Sequence, residues 1–187
     1  MFRSYDSVFK IMLVGGPEVG KTALIQRFIR DDFWDDYEPT MEVPSTGVPR
    51  EIPVCDGEKT LQLSLFDTPG HSRFSDSITT ICQSRTVDGV AVIFDVTNHE
   101  SFQIAKQKLS QLAGKYLILV GNKCELVAEG DPGKVREVGV EEASSAACGA
   151  NCPYIEVSAA TGENVESAFE RLGSDIRQRV HVKPGRH

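Results

Sequence analysis

The most constraining feature of this sequence is a glycine-rich stretch that lies between an apolar run and a helical pattern. Residues 15–22 read Gly-Gly-Pro-Glu-Val-Gly-Lys-Thr and fit the pattern G-x-x-x-x-G-K-[ST]. Residues 8–15 predict a buried strand, and residues 21–30 predict an amphipathic helix. A glycine-rich turn from strand to helix lets backbone N–H groups approach a phosphate, and the helix N-terminus adds its positive end. The stretch therefore predicts a phosphate-binding loop.

Two side chains of this loop have the chemistry that a phosphate site needs. Lys21 is expected to bridge the β- and γ-phosphates of a nucleotide, and the Thr22 hydroxyl to ligate Mg²⁺, which prefers octahedral oxygen coordination. Taken alone, the loop fits kinases and ATPases equally well. The positions expected to contact the nucleotide here are Gly15, Pro17, Glu18, Val19, Gly20, Lys21, Thr22 and Ala23.

Apolar runs and helical patterns alternate along the rest of the chain, which is typical of βαβ units and a mostly parallel sheet. Further strands are predicted at 60–67, 89–95, 115–121 and 153–158. Further helices are predicted near 73–85, 100–113, 138–148 and 163–180. The fold class is therefore α/β.

The segment 41–55 breaks this pattern. Pro44, Pro49 and Pro53 each remove a backbone hydrogen-bond donor. The segment can then be only an interrupted edge strand or a loop, and both alternatives stay open.

Length and charge limit the classes of function. A chain of 187 residues with 40% hydrophobic residues suits one domain, taken as residues 1–180, with residues 181–187 expected to form a disordered tail. A net charge of -7 argues against a surface built for nucleic acid or anionic lipid.

Five cysteines without a C-x-x-C pair, and the absence of a signal-peptide pattern, predict a cytoplasmic protein.

Four further motifs follow the phosphate loop in a fixed order. They are Phe33, Tyr37, Pro39 and Thr40; the run Asp67-Thr68-Pro69-Gly70-His71; the run Asn122-Lys123-Cys124-Glu125-Leu126; and the run Ser158-Ala159-Ala160. In this order they resemble the two switch segments and the two base-recognition loops of small GTPases of the Ras superfamily. Within that superfamily the chain is most similar to Rab proteins, through Arg73-Phe74, Phe94-Asp95-Val96-Thr97 and the run from Ser158 to Val165.

The resemblance implies a three-layer G domain, with a mostly parallel six-stranded sheet flanked by helices, that binds GTP or GDP and Mg²⁺. It implies that Thr40 and Asp67 join Thr22 at the metal, and that the Gly70 N–H contacts the γ-phosphate. His71, Lys21 and Gly70 would take part in catalysis. Effector and regulator proteins would bind through residues 35–45 and 68–80, and the chain would be a monomer or a subunit of a hetero-complex.

The resemblance also implies how the guanine base is recognised. Asn122 and Lys123 would line the base, Phe33 would pack beside it, and the Ala159 N–H would donate to the guanine O6. The remaining nucleotide positions carried over from the family are Tyr37, Glu125, Ser158 and Ala160.

Three departures from the family pattern affect these expectations. Glu125 replaces the usual aspartate and is one methylene longer, so it either reaches the same two guanine donors with a kinked side chain or discriminates purines less well. His71 stands where the family usually has a water-positioning glutamine. Pro17 and Glu18 replace glycines of Ras beside the γ-phosphate, where they either crowd an attacking water or are tolerated.

The last thirty residues contain no cysteine, so no intrinsic lipid anchor is expected in this chain. Either a lipidated tail follows these residues in the natural protein, or any membrane contact comes through a partner. The expected function is a GTP/GDP switch with slow Mg²⁺-dependent hydrolysis, in intracellular trafficking or signalling. The alternative is a degenerate GTPase that serves as a nucleotide-binding or nucleotide-free structural subunit of a larger assembly.

Overall fold

The computed structural model describes residues 7–31, 48–53, 60–128 and 135–181. The strands are β1 Ser7–Gly15, β2 Val48–Pro53, β3 Thr60–Phe66, β4 Gly89–Asp95, β5 Tyr116–Asn122 and β6 Tyr154–Glu156. The helices are α1 Lys21–Arg30, α2 Ser75–Gln83, α3 His99–Gln111, α4 Glu125–Ala128, α5 Val140–Gly149 and α6 Val165–His181. A 3₁₀ turn, Ser72–Phe74, precedes α2.

The six strands form one sheet in the order β2-β3-β1-β4-β5-β6. Only the β2–β3 pair is antiparallel, and the other four pairs are parallel. The predicted mostly parallel six-stranded sheet is confirmed. Because β1, β3, β4, β5 and β6 run the same way, their carboxyl ends share one edge of the sheet.

Helices cover both faces of the sheet, so the predicted three layers are also confirmed. On one face α1 and α6 pack over the sheet, with Phe28 and Phe169 in ring contact at 4.6 Å between centroids. On the other face α2, α3 and α5 pack over it, with Phe94 and Phe102 at 4.9 Å. Burial of both faces explains why the central strands β4 and β5 are almost continuously apolar.

The proline-bearing segment is an edge strand over residues 48–53, and the rest of 41–55 lies outside the described residues. An edge strand leaves one row of N–H groups outside the ladder, so Pro49 and Pro53 are tolerated in this strand.

Several boundaries differ from the prediction. The last strand is Tyr154–Glu156 and not 153–158, because the chain leaves the ladder and the Ser158 N–H donates to the Glu163 carbonyl instead. Helix α4, which begins at Glu125, was not predicted. Helix α6 includes His181, the first residue assigned to the tail, whereas residues 182–187 lie outside the described residues and the tail there stays a prediction.

Candidate nucleotide site

The predicted phosphate loop lies between β1 and α1 at the carboxyl edge of the sheet. Gly20 has φ 89°, and a Cβ built there would lie 2.3 Å from Nδ2 of Asn122. A larger residue at this position would therefore be strained and would clash with the neighbouring loop. Glu18 also has a left-handed backbone, with φ 59°, and its side chain and that of Pro17 are exposed.

Lys21 is held inside this loop. Its Nζ donates to the Gly16 carbonyl oxygen at 2.7 Å and to the Gly15 carbonyl oxygen at 3.2 Å, and the residue is 6% exposed. Burial lowers the Lys21 pKa to about 8, although the negative charge of Asp67 opposes the shift. The ammonium group is thus charged at neutral pH and poorly solvated, which favours an anionic partner.

Two oxygen donors for a hard cation lie beside Lys21. The Thr22 hydroxyl donates to Oδ2 of Asp67 at 2.5 Å, and the Thr68 N–H donates to Oδ1 of Asp67 at 2.9 Å. Thr68 is itself fixed by a hydrogen bond from its hydroxyl to the Leu13 carbonyl oxygen at 2.6 Å. In the described ranges no group of three or more His, Cys, Asp and Glu side chains could hold a metal. The hydroxyl and carboxylate oxygens of Thr22 and Asp67 fit Mg²⁺, which prefers oxygen ligands and commonly takes the others from water and phosphate.

The segment after β3 lies directly against the phosphate loop. A Cβ built on Gly70 would lie 2.6 Å from the Gly16 carbonyl oxygen and from the Pro17 backbone nitrogen and Cα, so only glycine allows this approach. The next residue, His71, is exposed and precedes the 3₁₀ turn Ser72–Phe74. Both residues lie where the phosphate side of a nucleotide is predicted.

Asn122, at the end of β5, joins the phosphate loop to the second base-recognition loop. Its Nδ2 donates to the Val19 carbonyl oxygen at 2.8 Å, and its Oδ1 accepts from the Ala159 N–H at 3.1 Å. Asn122 is 1% exposed. Its amide is thus used to connect two loops, and the Ala159 N–H that we expect to meet the guanine O6 has a protein acceptor in this structure.

Lys123 is held by a residue that the sequence analysis did not assign to the site. Its Nζ lies 2.8 Å from Oδ2 of Asp95, at the end of the neighbouring strand β4. Oδ1 of Asp95 accepts from the backbone N–H and the hydroxyl of Thr97, at 2.8 and 2.7 Å. Asp95 is largely buried and oriented by Thr97, so it fixes the position of the Lys123 ammonium group.

Glu125 has the one buried side-chain oxygen in the described part of the chain that has no hydrogen-bond partner. This atom is Oε2, on the first residue of α4. A buried carboxylate oxygen without a donor is unfavourable unless a ligand supplies one. The N–H groups on the edge of a guanine base are donors of this kind, so the residue fits the base that the family pattern implies.

The second base-recognition loop begins at Ser158, which is buried and whose Oγ accepts from the Thr161 N–H at 2.9 Å. Its other two predicted residues, Ala159 and Ala160, are contacted by a residue that the sequence analysis missed. Arg27, in α1, donates from Nε to the Ala159 carbonyl oxygen at 2.8 Å and from Nη2 to the Ala160 carbonyl oxygen at 2.5 Å. No motif marks Arg27, since it is one of two basic residues in the last turn of an amphipathic helix.

The strand before this loop is anchored by a half-buried ion pair. Both Arg136 terminal nitrogens contact the Glu156 carboxylate, at 2.6 and 2.9 Å, and the Tyr154 hydroxyl donates to Oε1 of Glu156 at 2.7 Å. Burial alone would raise the Glu156 pKa, but the hydrogen bonds from Arg136 and Tyr154 outweigh burial and lower it. Glu156 is therefore a stable carboxylate that holds β6 in place two residues before Ser158.

Comparison with known sequences agrees with this arrangement. A sequence model of the Ras family matches residues 10–178. This chain belongs to the Ras family. It is 35% identical to Ras-related protein RABD2c of Arabidopsis thaliana, over 96% of this chain and 86% of that protein. It is 35% identical to Ras-related protein SEC4 of Candida albicans (97% and 82%) and 34% identical to Ras-related protein Rab-13 of dog (94% and 83%).

The chain is thus a Rab-like small GTPase of the Ras superfamily, and such proteins bind guanine nucleotides and meet regulators and effectors. The match to the Ras family includes three predicted nucleotide or metal residues, Phe33, Tyr37 and Thr40, that lie outside the described residues. The same is true of the predicted partner segment 35–45, whereas 68–80 is described and contains the start of α2. Among the described helices none is both long and apolar enough to cross a membrane.

Proposed function

We propose that this Ras-family chain is a molecular switch that binds GTP and GDP with Mg²⁺ and hydrolyses GTP slowly. The observation that carries the proposal is the convergence of two complementary subsites on one sheet edge. At one subsite a buried, charged Lys21 lies beside the Thr22 and Asp67 oxygens. At the other, the buried Glu125 Oε2 lacks a donor. A nucleotide combines the anionic and the N–H-bearing groups that these subsites need.

At the phosphate subsite, Lys21 would neutralise charge on the β- and γ-phosphates, and Thr22 and Asp67 would hold Mg²⁺ directly or through water. Such catalysis depends on positioning and on charge neutralisation, so it needs no covalent nucleophile. His71 would be the residue nearest to an attacking water. The Gly70 N–H, held against the loop by the contact with Gly16, would sense the γ-phosphate and couple it to α2.

At the base subsite, Glu125 would accept from the guanine edge and the Ala159 N–H would donate to O6. Lys123, fixed by Asp95, would lie along the base or the ribose. We expect the protein to act in the cytoplasm, in intracellular trafficking or signalling, and to meet membranes through partners.

The test combines two measurements on the purified protein. The nucleotide that co-purifies should be identified after denaturation, and multiple-turnover GTP hydrolysis should be measured with Lys21→Ala as the control. We expect bound GDP or GTP and a slow hydrolysis rate that Lys21→Ala abolishes. A protein free of nucleotide, with a rate equal to that of the control, would exclude the switch.

The second candidate function is a degenerate GTPase that serves as a structural subunit. It is favoured by departures from the family pattern at positions expected to affect base recognition or hydrolysis, which are Glu125, His71, Pro17 and Glu18. The experiment that identifies the co-purified nucleotide and measures GTP hydrolysis also distinguishes the two candidate functions. A structural subunit would retain nucleotide without hydrolysing it, or would bind no nucleotide.

A further inference from the structure

Arg27 makes a two-point contact with the second base-recognition loop. Its Nε and Nη2 donate to the carbonyl oxygens of Ala159 and Ala160, at 2.8 and 2.5 Å. The Arg27 side chain is 14% exposed, so these bonds form largely out of water. A planar guanidinium group presents its donors in a fixed fork, and two successive carbonyl groups bound to it are held in one orientation.

Ala159 is consequently hydrogen-bonded through both of its backbone polar groups. Its N–H donates to Oδ1 of Asn122 at 3.1 Å, and its carbonyl oxygen accepts from Nε of Arg27. The stem of Arg27 also lies along the same loop, since a Cβ built on Gly162 would be 3.5 Å from Cδ of Arg27. The orientation of the Ala159 N–H therefore depends on Arg27 as well as on Asn122.

Arg27 lies on the same helix as the phosphate-binding residues. Helix α1 begins at Lys21 and Thr22, and Arg27 follows Lys21 by about 9 Å along the helix axis. An α-helix of this length moves as a rigid element. One helix thus carries the predicted phosphate ligands in its first turn and contacts the predicted base-recognition loop near its end.

We propose that Arg27 is a positioning residue of the nucleotide site. It holds the loop Ser158–Ala160 at a set distance from the phosphate loop and thereby controls how strongly guanine is preferred over adenine. Arg27 itself contacts neither phosphate nor base and acts through Ala159 and Ala160. The inference rests on the proposed function, because it assumes that the Ala159 N–H meets the guanine base.

The first test compares the affinities of GDP and ADP for Arg27→Met, Arg27→Lys and the wild-type protein. Methionine retains an apolar stem but has no donor, and lysine retains the charge but not the fork. For Arg27→Met we expect GDP affinity to fall by about ten- to a hundredfold, which is the size of effect expected when charge-assisted hydrogen bonds are lost. ADP affinity should fall by less than about threefold, because the loss affects only the base subsite. Arg27→Lys should recover part of the preference for GDP.

Asp31→Asn is the matched control. Its carboxylate also contacts Arg27, at 3.4 Å from Nη1, but it is 93% exposed and is separate from the two carbonyl contacts. This variant should retain the wild-type ratio of GDP to ADP affinity. Equal losses of GDP and ADP affinity in Arg27→Met would show a general loosening of α1 and would overturn the proposal, and so would unchanged affinities.

The second test does not depend on nucleotide binding. Amide hydrogen exchange in the nucleotide-free protein should be faster for Thr161 and Gly162, whose N–H groups close this loop onto Ser158, in Arg27→Met than in the wild-type protein. Unchanged exchange would overturn the positioning role. A wild-type protein that binds no guanine nucleotide would instead contradict the proposed function. Should Arg27→Met fail to fold, the same measurements on Arg27→Lys decide the question.

Discussion

The predicted phosphate end and the predicted base end of the site are built in different ways. The phosphate end centres on one short stretch, in which Lys21 is bonded to carbonyl groups of its own loop within six residues, and Asp67 joins it through a hydrogen bond from Thr22. The base end is assembled from distant segments: Asn122 contacts Ala159 across 37 positions, and Arg27 contacts Ala159 across 132. A local loop keeps its geometry through backbone conformation, whereas the base end keeps its geometry through long-range hydrogen bonds.

This difference predicts different responses to mutation. Loss of a side chain that would contact phosphate or metal should weaken the binding of every nucleotide alike, because all of them carry the same phosphates. A change at the base end should alter the ratio between guanine and adenine nucleotides, because only the base differs. Variants at the two ends test this difference.

The largest effect is expected at the phosphate loop. Lys21→Ala or Thr22→Asn should abolish stable binding of GTP with Mg²⁺, because each removes a charge or a metal ligand. Loss of a buried charged partner costs about 2–5 kcal/mol, or about thirty- to several-thousand-fold in Kd. Titration with GDP and ADP should show equal losses, and thermal unfolding should show a folded protein. Unchanged affinity in both variants would refute the phosphate-site assignment.

A pH dependence should come from the same lysine. Its pKa is lowered to about 8 by burial, so the free site loses its positive charge as the pH rises past that value, and bound phosphate favours the protonated form. GDP affinity should therefore fall between pH 7 and 9, by up to about tenfold per pH unit above 8.

Lys21→Arg, which remains charged over this range, is the control for that measurement. Any deprotonation of the guanine base itself affects both proteins equally and cancels in the comparison. Parallel pH profiles for the two proteins would show that Lys21 does not titrate in this window.

The titration of Lys21 also changes the free energy of unfolding. Whereas GDP affinity should fall as the pH rises, the stability of the folded protein should increase. The folded protein has the lower pKa, so between about pH 8 and 10.5 the unfolded chain binds more protons and folding becomes more favourable as the pH rises. The thiols of Cys82, Cys124 and the half-buried Cys152 act the other way at higher pH, because burial raises each pKa to about 11. Only the difference between the wild-type protein and Lys21→Met therefore isolates the lysine.

At the base end, Glu125→Asp should tighten GDP binding by about tenfold and widen the preference for guanine over adenine nucleotides. A shorter carboxylate should meet two guanine donors in a bidentate arrangement, and such a site rejects bases that lack them. Titration of both proteins with GDP and ADP measures the effect. Equal affinities and equal discrimination would mean that Glu125 already reaches the base with both oxygens.

The smallest effect is expected for His71→Gln, which should speed intrinsic hydrolysis without changing nucleotide affinity. An amide offers an acceptor and a donor that converge on one water, whereas the two nitrogens of a neutral imidazole lie on opposite edges of a rigid ring. Single-turnover rates at saturating Mg²⁺, without a partner protein, should rise several-fold. A glutamine variant no faster than the wild-type protein would show that His71 does not limit hydrolysis. Pro17 and Glu18, which are expected to flank the same phosphate, would then be the next residues to test.

Sequence patterns alone were enough to predict the fold class and to place the glycine-rich loop between the first strand and the first helix. The apolar runs predicted five of the six strands, because central parallel strands are buried on both faces and read as continuous hydrophobic segments. The prolines of 41–55 limited that segment to an edge strand or a loop. The place of residues 15–22 between a strand and a helix was also predictable, because it follows from the hydrophobic pattern of the neighbouring residues, whereas the roles of Lys21 and Thr22 at a phosphate stay predictions.

The partners that hold the predicted base end together could be seen only in the folded domain. Nothing in the sequence around Asp95 or Arg27 shows that one fixes Lys123 and the other fixes Ala159, because these contacts join β4 to β5 and α1 to the loop after β6. Nor could the sequence show that Glu125 opens a short helix with one carboxylate oxygen buried and unpaired. Hydrogen bonds between residues far apart in the chain depend on how strands and helices are packed, and packing is a property of the whole domain.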